Sequence, residues 1–231
     1  MKKNVLYLLL CVMMLSCQQN NFDLSTLSLP ADTSMVSKYH LKKELELNEC
    51  IGYASKQPEL LRLYGQSFSG SMLSGNDEGN GFSNYAIFFL TPENNKVGAY
   101  GLHTETKDKT AALVKLMNEK LGKTDYHYRS KEFTNQVWYK DGLYYFFNTN
   151  NTIVNMGEKT TTGDLTVISE KSPVFLEWHS SGGGFSYYGD YLKAKKQPEH
   201  QGKNFSYRDF IEAEKANDSF FGNTYFDNYV Q

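Results

Sequence analysis

The chain has 231 residues, with 24 Lys and Arg against 26 Asp and Glu and a formal net charge of −2. No Lys/Arg cluster lends it the basic character of a nucleic-acid binder, so nucleic acid is excluded as a partner. The three cysteines, Cys11, Cys17 and Cys50, form no C-x-x-C pair and cannot build a Cys-based zinc cluster, while 17 Tyr and 15 Phe supply a sizeable core.

Lys2 and Lys3 precede an apolar run from Val5 to Leu15. That run is shorter than the about 20 apolar residues a transmembrane helix needs and suits the core of an export signal. It closes on Leu15-Ser16-Cys17, and polar Gln18-Gln19-Asn20-Asn21 follow. The pattern resembles the lipobox of a bacterial lipoprotein precursor. Met14 stands where Leu is usual, a looseness found in the signals of Bacteroidota lipoproteins. An ordinary secretory signal cut beside Ser16 is the rival reading. The resemblance implies loss of residues 1–16, lipidation of Cys17 and a place in the cell envelope, anchored to the outer membrane. Gln18 to Phe22 carry none of the acidic residues that surface-export signals of that group place after the cysteine, so the resemblance implies the periplasmic face. Cys50 is then the one cysteine left as a thiol, and is read as a small buried hydrophobe.

Residues 17–36 lack periodicity and read as a flexible tether, with a folded domain expected over 37–179. Ser37 to Cys50 mixes charge with Leu41, Leu45 and Leu47 and reads as a helix. Pro58 suits the first turn of a short helix through Tyr64 that buries Leu60, Leu61 and Leu63 and stops at Gly65. Ser67 to Ser83 is a loop. Within it, Asn76 to Gly81 lacks the alternating ligands and distal Glu of a calcium site. Tyr85 to Leu90 is apolar on both alternating faces, which predicts a strand covered on both sides, and Lys96 to His103 returns as its hairpin partner. Thr106 or Asp108 caps a helix over Lys109 to Leu121, with Leu113, Leu116, Met117 and Leu121 in one stripe and Gly122 as its stop.

A second hairpin follows, from Glu132–Tyr139 to Leu143–Phe147 across Asp141-Gly142, a type I′ turn signal. Asp164–Ser169 and Pro173–His179 read as two more strands. The order ββαββββ gives an α+β fold, an antiparallel sheet of about six strands with one long helix on a face and short flanking helices. Residues 180–231 read as a Gly-rich, polar extension. There Ser206 and Asp209 resemble a capping box for a helix over Tyr207–Ala216, and Tyr225 to Tyr229 form an aromatic tail.

Catalytic signatures are missing. The chain has no HExxH, G-x-S-x-G or S-x-x-K, and Gly122-Lys123-Thr124 ends a helix where a P-loop would open one. Histidines 40, 103, 127, 179 and 200 are scattered, and neither a metal nor a cofactor is expected. Two groupings remain. In Trp178-His179-Ser180-Ser181 a base adjoins hydroxyls, but neighbours on a strand point to opposite faces. The tyrosines at 126, 128, 139, 144, 187, 188 and 191, with Trp138, offer flat rings for stacking on sugars. Of these, Trp138, Tyr139, Tyr187 and Tyr188 are the candidate ligand-binding residues. The expectation is a non-enzymatic, lipid-anchored module for a protein partner or a glycan. The alternative is an envelope-polymer hydrolase working through acidic residues, with Glu177 and His179 as candidates.

Overall fold

Runs of aromatic and β-branched residues assemble into one eight-stranded antiparallel sheet in the computed structural model, which describes residues 22–47, 50–72, 82–93, 95–155 and 158–217. The export signal, Cys17, the loop at Asn76–Gly81 and the Tyr225–Tyr229 tail lie outside the described residues. The strands are β1 (Lys42–Leu47), β2 (Cys50–Ser55), β3 (Tyr85–Thr91), β4 (Lys96–Thr104), β5 (Tyr126–Arg129), β6 (Phe133–Lys140), β7 (Leu143–Asn150) and β8 (Thr162–Ser169). Five helices accompany them: α1 (Ser34–Lys38), α2 (Lys107–Leu121), α3 (Pro173–Ser180), α4 (Ser186–Lys195) and α5 (Tyr207–Asn217).

The order across the sheet is β1-β2-β3-β4-β8-β7-β6-β5. Two four-stranded meanders therefore lie side by side and join where β8 pairs antiparallel with β4, from Gly163↔Thr104 to Ile168↔Ala99. Helix α2 carries the chain from the centre of the sheet to its far edge, and the second meander walks back. The α+β class and the antiparallel sheet are as expected. The count of about six strands with one long helix is corrected to eight strands and five helices.

Three local readings are overturned for identifiable reasons. Of the stretch read as a helix over Ser37–Cys50, helix α1 ends at Lys38 and Lys42–Leu47 is strand β1. Its alternating Lys, Glu and Leu suit an edge strand, where charge protects the open side, and Leu45 pairs with Gly52 of β2. The short helix expected from Pro58 shrinks to a single 3-10 turn, Pro58–Leu60, although Leu60, Leu61 and Leu63 are buried as anticipated. Pro173–His179, read as a strand, is helix α3. Pro173 occupies its first turn, where the missing amide costs nothing. Glu93, in the β3–β4 turn, accepts from the Val174 amide at 2.7 Å and caps that helix with a negative charge.

Core covers both faces of the sheet. On the first face, Phe88, Tyr100, Leu102, Val167 and Phe147 meet Leu113 and Met117 of α2. Leu24 and Met35 from the N-terminal stretch, with Phe68 from the chain between β2 and β3, complete that layer. Residues 22–36 are thus folded onto the sheet, and a tether spanning 17–36 is corrected to that extent. Ala31 bridges Val97, and Asp23 accepts from the Tyr64 and Gly65 amides at 2.9 and 2.6 Å. On the second face, Phe89, Ala99, Phe146 and Ile168 meet Phe175 and Leu176 of α3, Tyr188 and Tyr191 of α4, and Phe210 and Ile211 of α5. The part of the expected extension over 180–217 is accordingly a structural layer of the domain. Gly98 permits the close approach of α3, since a Cβ there would lie 2.2 Å from Ser172 Oγ. No helix among the described residues is long and apolar enough to cross a membrane.

Candidate functional site

Side chains on a strand alternate between faces, so the covering helices decide which parts of each face stay open. Helices α3 to α5 cover the second face unevenly. Near β5–β7 they leave a cleft of about 490 Å³ lined by Tyr126, Tyr128, Phe133, Asn135, Asn148 and Asn150 from the strands. Gly183, Gly184, Ser186 and Tyr187 close it from above. Register brings the strand residues together: Asn135 pairs with Asn148 across β6–β7 and with Tyr128 across β5–β6, and Phe133 pairs with Asn150.

The cleft joins flat rings to carboxamides. Tyr128 and Phe133 stack with ring centroids 5.7 Å apart and planes 19° from parallel. Tyr126 is buried and its hydroxyl donates to the Gly184 carbonyl at 2.7 Å, which ties the roof to the floor. Asn135 is 1% exposed. Its Oδ1 accepts from Asn148 Nδ2 at 2.5 Å, while its own Nδ2 has no hydrogen-bond partner. Gly184 sits directly over that group: a Cβ at this position would fall 1.7 Å from Asn135 Nδ2. Only glycine lets the roof approach so closely. None of the lining residues is acidic.

The remaining candidates take other places. Trp138 is buried on the first face, and its Nε1 donates to the Gly122 carbonyl at 2.9 Å, closing α2. Tyr188 is buried between Phe146, Tyr126 and Tyr191. Tyr139 is exposed and donates to Glu170 at 2.5 Å, a bond to a carboxylate that pushes its hydroxyl up to about 12. Of the four residues proposed for ligand binding, Tyr187 alone lines the cleft. The three asparagines went unnoticed in the sequence. Their signal was Asn148 and Asn150, two carboxamides on one face of a strand and opposite an Asn and a Phe on the next.

Glu177 and His179 do not share a cleft. Helix α3 turns Glu177 to solvent and His179 into a cage of Phe146, Phe175 and Phe185, with centroids 4.9, 6.1 and 5.8 Å away. Its Nε2 is sealed without a partner, and burial holds the imidazole down at about 4 despite the pull of Asp164. Ser180 is buried and bonds the Glu177 carbonyl rather than His179.

Two further arrangements appear on the sheet. A groove of about 820 Å³ opens on the second face beside β1–β3, with Leu45, Ala54, Ile87 and Tyr85 among its lining. Next to it, Tyr85 stacks on His103 at 4.8 Å. His103 Nδ1 bonds Asp164 and Nε2 bonds Glu105 at 2.8 Å, so neither nitrogen is open to a substrate. Burial works against the charged ring, but the two carboxylates outweigh it and raise its pKa. No group of three or more His, Cys, Asp or Glu among the described residues is arranged to hold a metal ion.

No family model, curated protein or solved structure matches the chain.

Proposed function

We propose that this chain is a lipid-anchored protein of the cell envelope that binds a glycan in the aromatic–carboxamide cleft. The observation that carries the reading is the meeting of Tyr128, Phe133 and Tyr187 with Asn135, Asn148 and Asn150 in a single cleft of ligand size. A pyranose presents a sheet of C–H bonds that lies flat on an aromatic ring. Its hydroxyls both donate and accept, and a carboxamide is a neutral side chain that returns both, from separate atoms. Glycoside hydrolysis needs two carboxyl groups about the scissile bond, and the lining supplies none, so the cleft is suited to holding a sugar without cleaving it.

The envelope address rests on the Lys2-Lys3, apolar run and Leu15-Ser16-Cys17 pattern, with Cys17 as the lipidated residue and the periplasmic face of the outer membrane as the place. A diacylated cysteine buries enough methylenes, at about 0.8 kcal/mol each, to make release rare. Cys17→Ala is expected to abolish palmitate labelling and free the protein from membranes. Membrane attachment without label in the wild type overturns the anchor.

Isothermal titration of the chain with a panel of neutral oligosaccharides tests the binding reading. Millimolar or tighter binding to at least one sugar is expected, with a loss of about tenfold or more in Tyr187→Ala. Silence across the panel, or full binding in that variant, sinks it. Silence would also turn attention to a protein partner, for which the β1–β3 groove, with its apolar floor and its rim of Lys42, Glu44 and Lys56, is the place to look.

A further inference from the structure

The reverse of β5–β7 carries a second chemistry. Strand alternation turns His127, Arg129, Thr134, Gln136 and Thr149 onto the first face, and the chain leaving α2 brings Lys123 and Thr124 beside them. Together with Val114, Asn118 and Gly122 they line a cleft of about 340 Å³. We infer that this cleft is an oxyanion site, shaped for the carboxylate, sulfate or phosphate group of a small ligand. The inference is independent of the glycan reading, because the two clefts share strands but no side chain.

Three observations support it. First, the lining holds two permanent cations and no acidic residue, and neither Lys123 nor Arg129 has an ion-pair partner among the described residues. Second, the charged form of His127 is disfavoured at this place. Burial holds its imidazole below the usual range, the Arg129 charge pushes the same way, and no carboxylate opposes them. Third, donors are held in place. Gln136 and Thr149 are 8% and 9% exposed on β6 and β7, and His127 Nε2 is enclosed with no hydrogen-bond partner. A guanidinium offers a planar fork that pairs with two oxygens of one oxyanion, and hydroxyl and amide donors complete such a shell.

The C-terminal end of α2 points here, and a helix C-terminus carries partial negative charge. Part of that charge is answered within the protein. Trp138 Nε1 donates to the Gly122 carbonyl at 2.9 Å, Lys140 Nζ to the Lys120 carbonyl at 3.2 Å, and the Gly122 amide to the Asn118 carbonyl at 3.0 Å. The full charges in the lining are the two side-chain cations, and they give the cleft its positive sign. A cleft of this volume takes an acidic monosaccharide or a similar small anion.

The test is the NMR titration of the His127 ring in the purified chain, with sodium sulfate, sodium phosphate and sodium glucuronate each added against chloride at matched ionic strength. At least one oxyanion is expected to raise the His127 pKa toward the ordinary value of about 6.5 in a saturable manner. The anion that saturates lowest names the source. Arg129→Gln, at an exposed position, is expected to weaken that response by about tenfold. Without any added anion it should raise the His127 pKa on its own, because the neighbouring charge is gone. Lys123→Gln, on the other wall, should weaken binding by a smaller factor. A chloride response equal to that of all three oxyanions overturns the inference. So does unchanged saturation in both variants.

Discussion

Strands β5 to β7 face two ways with opposite chemistry. One side presents Tyr126, Tyr128, Phe133 and Asn148, neutral and flat; the other presents His127, Arg129, Thr134 and Thr149, basic and rich in hydroxyls. The residues interleave one for one, so a strand with a period of two delivers both sets from a single short ribbon. What differs is the covering. Over the aromatic side lies a glycine-rich turn that descends onto Asn135, whereas the basic side is flanked by the end of α2 and lies open beyond it. The centre of the sheet, covered by helices on both faces, holds core. The two clefts and the groove lie toward the ends of the sheet, beside β5–β7 and β1–β3.

That contrast can be broken most sharply at two neighbours. Phe146 and Phe147 are 0% and 1% exposed and point to opposite faces. Each change to Ala is expected to cost about 4 kcal/mol in urea denaturation. Phe146→Ala removes the seat of His179, Phe185 and Tyr188, so it should impair sugar binding and spare the oxyanion response of His127. Phe147→Ala should do the reverse by loosening the α2 side. If either variant damages both clefts equally, the two faces are not independent.

Acid offers a second probe. The caged His179 titrates at about 4 in the folded protein and near 6.5 once unfolded, so the unfolded chain takes up the proton first. Stability from this group is complete above its unfolded pKa and falls as the pH drops toward the folded value, by up to about 3 kcal/mol. His103 has the opposite sign. Its raised folded pKa stabilises the protein below its unfolded pKa, and that share is lost as the pH rises through the folded value. Urea midpoints measured between about pH 7 and about pH 5 should fall in the wild type and fall less in His179→Phe. Equal slopes refute the buried neutral ring.

Smaller effects sharpen the comparison further. Gly184→Ala pushes a methyl group into Asn135 and should cost about 2 kcal/mol, weakening sugar binding while leaving the His127 titration as it was. Asn148→Ala strips the Asn135 carboxamide of the donor to its oxygen, at about 1 kcal/mol, with the same one-sided effect on binding. Thermal or urea melts together with the two titrations check both.

Much of the scaffold was legible in the residues. Asp141-Gly142 has φ of +53° and +76°, as a type I′ turn demands, and pairs Lys140 with Leu143. Helix α2 ends at Gly122 with φ +75°, and Ser206 and Asp209 exchange the amide bonds of a capping box at 2.8 and 3.2 Å. These signals are local, so the chain declares them wherever it folds. Short apolar or alternating runs declare less. Lys42–Leu47 carries leucines spaced for either element, and its edge position beside β2 decides for strand. Pro173–Ser180 satisfies a strand pattern as well, until the space above Phe89 and Phe146 is filled by one face of a helix. Helix α4 was hidden by the glycines before it, though Tyr188, Tyr191 and Leu192 repeat at helical spacing.

By itself the sequence determined the antiparallel hairpins, the long helix and its stop, and a supply of tyrosines with no catalytic signature around them. Tertiary structure alone decided which rings became walls of a cleft and which became core. Trp138 and Tyr188 were absorbed, while Tyr128, Phe133 and Tyr187 were gathered beside three asparagines. The physical reason is register. Asn135 meets Asn148 and Tyr128 only because three strands pair in one alignment, and a shift of one residue would exchange the aromatic side for the basic one.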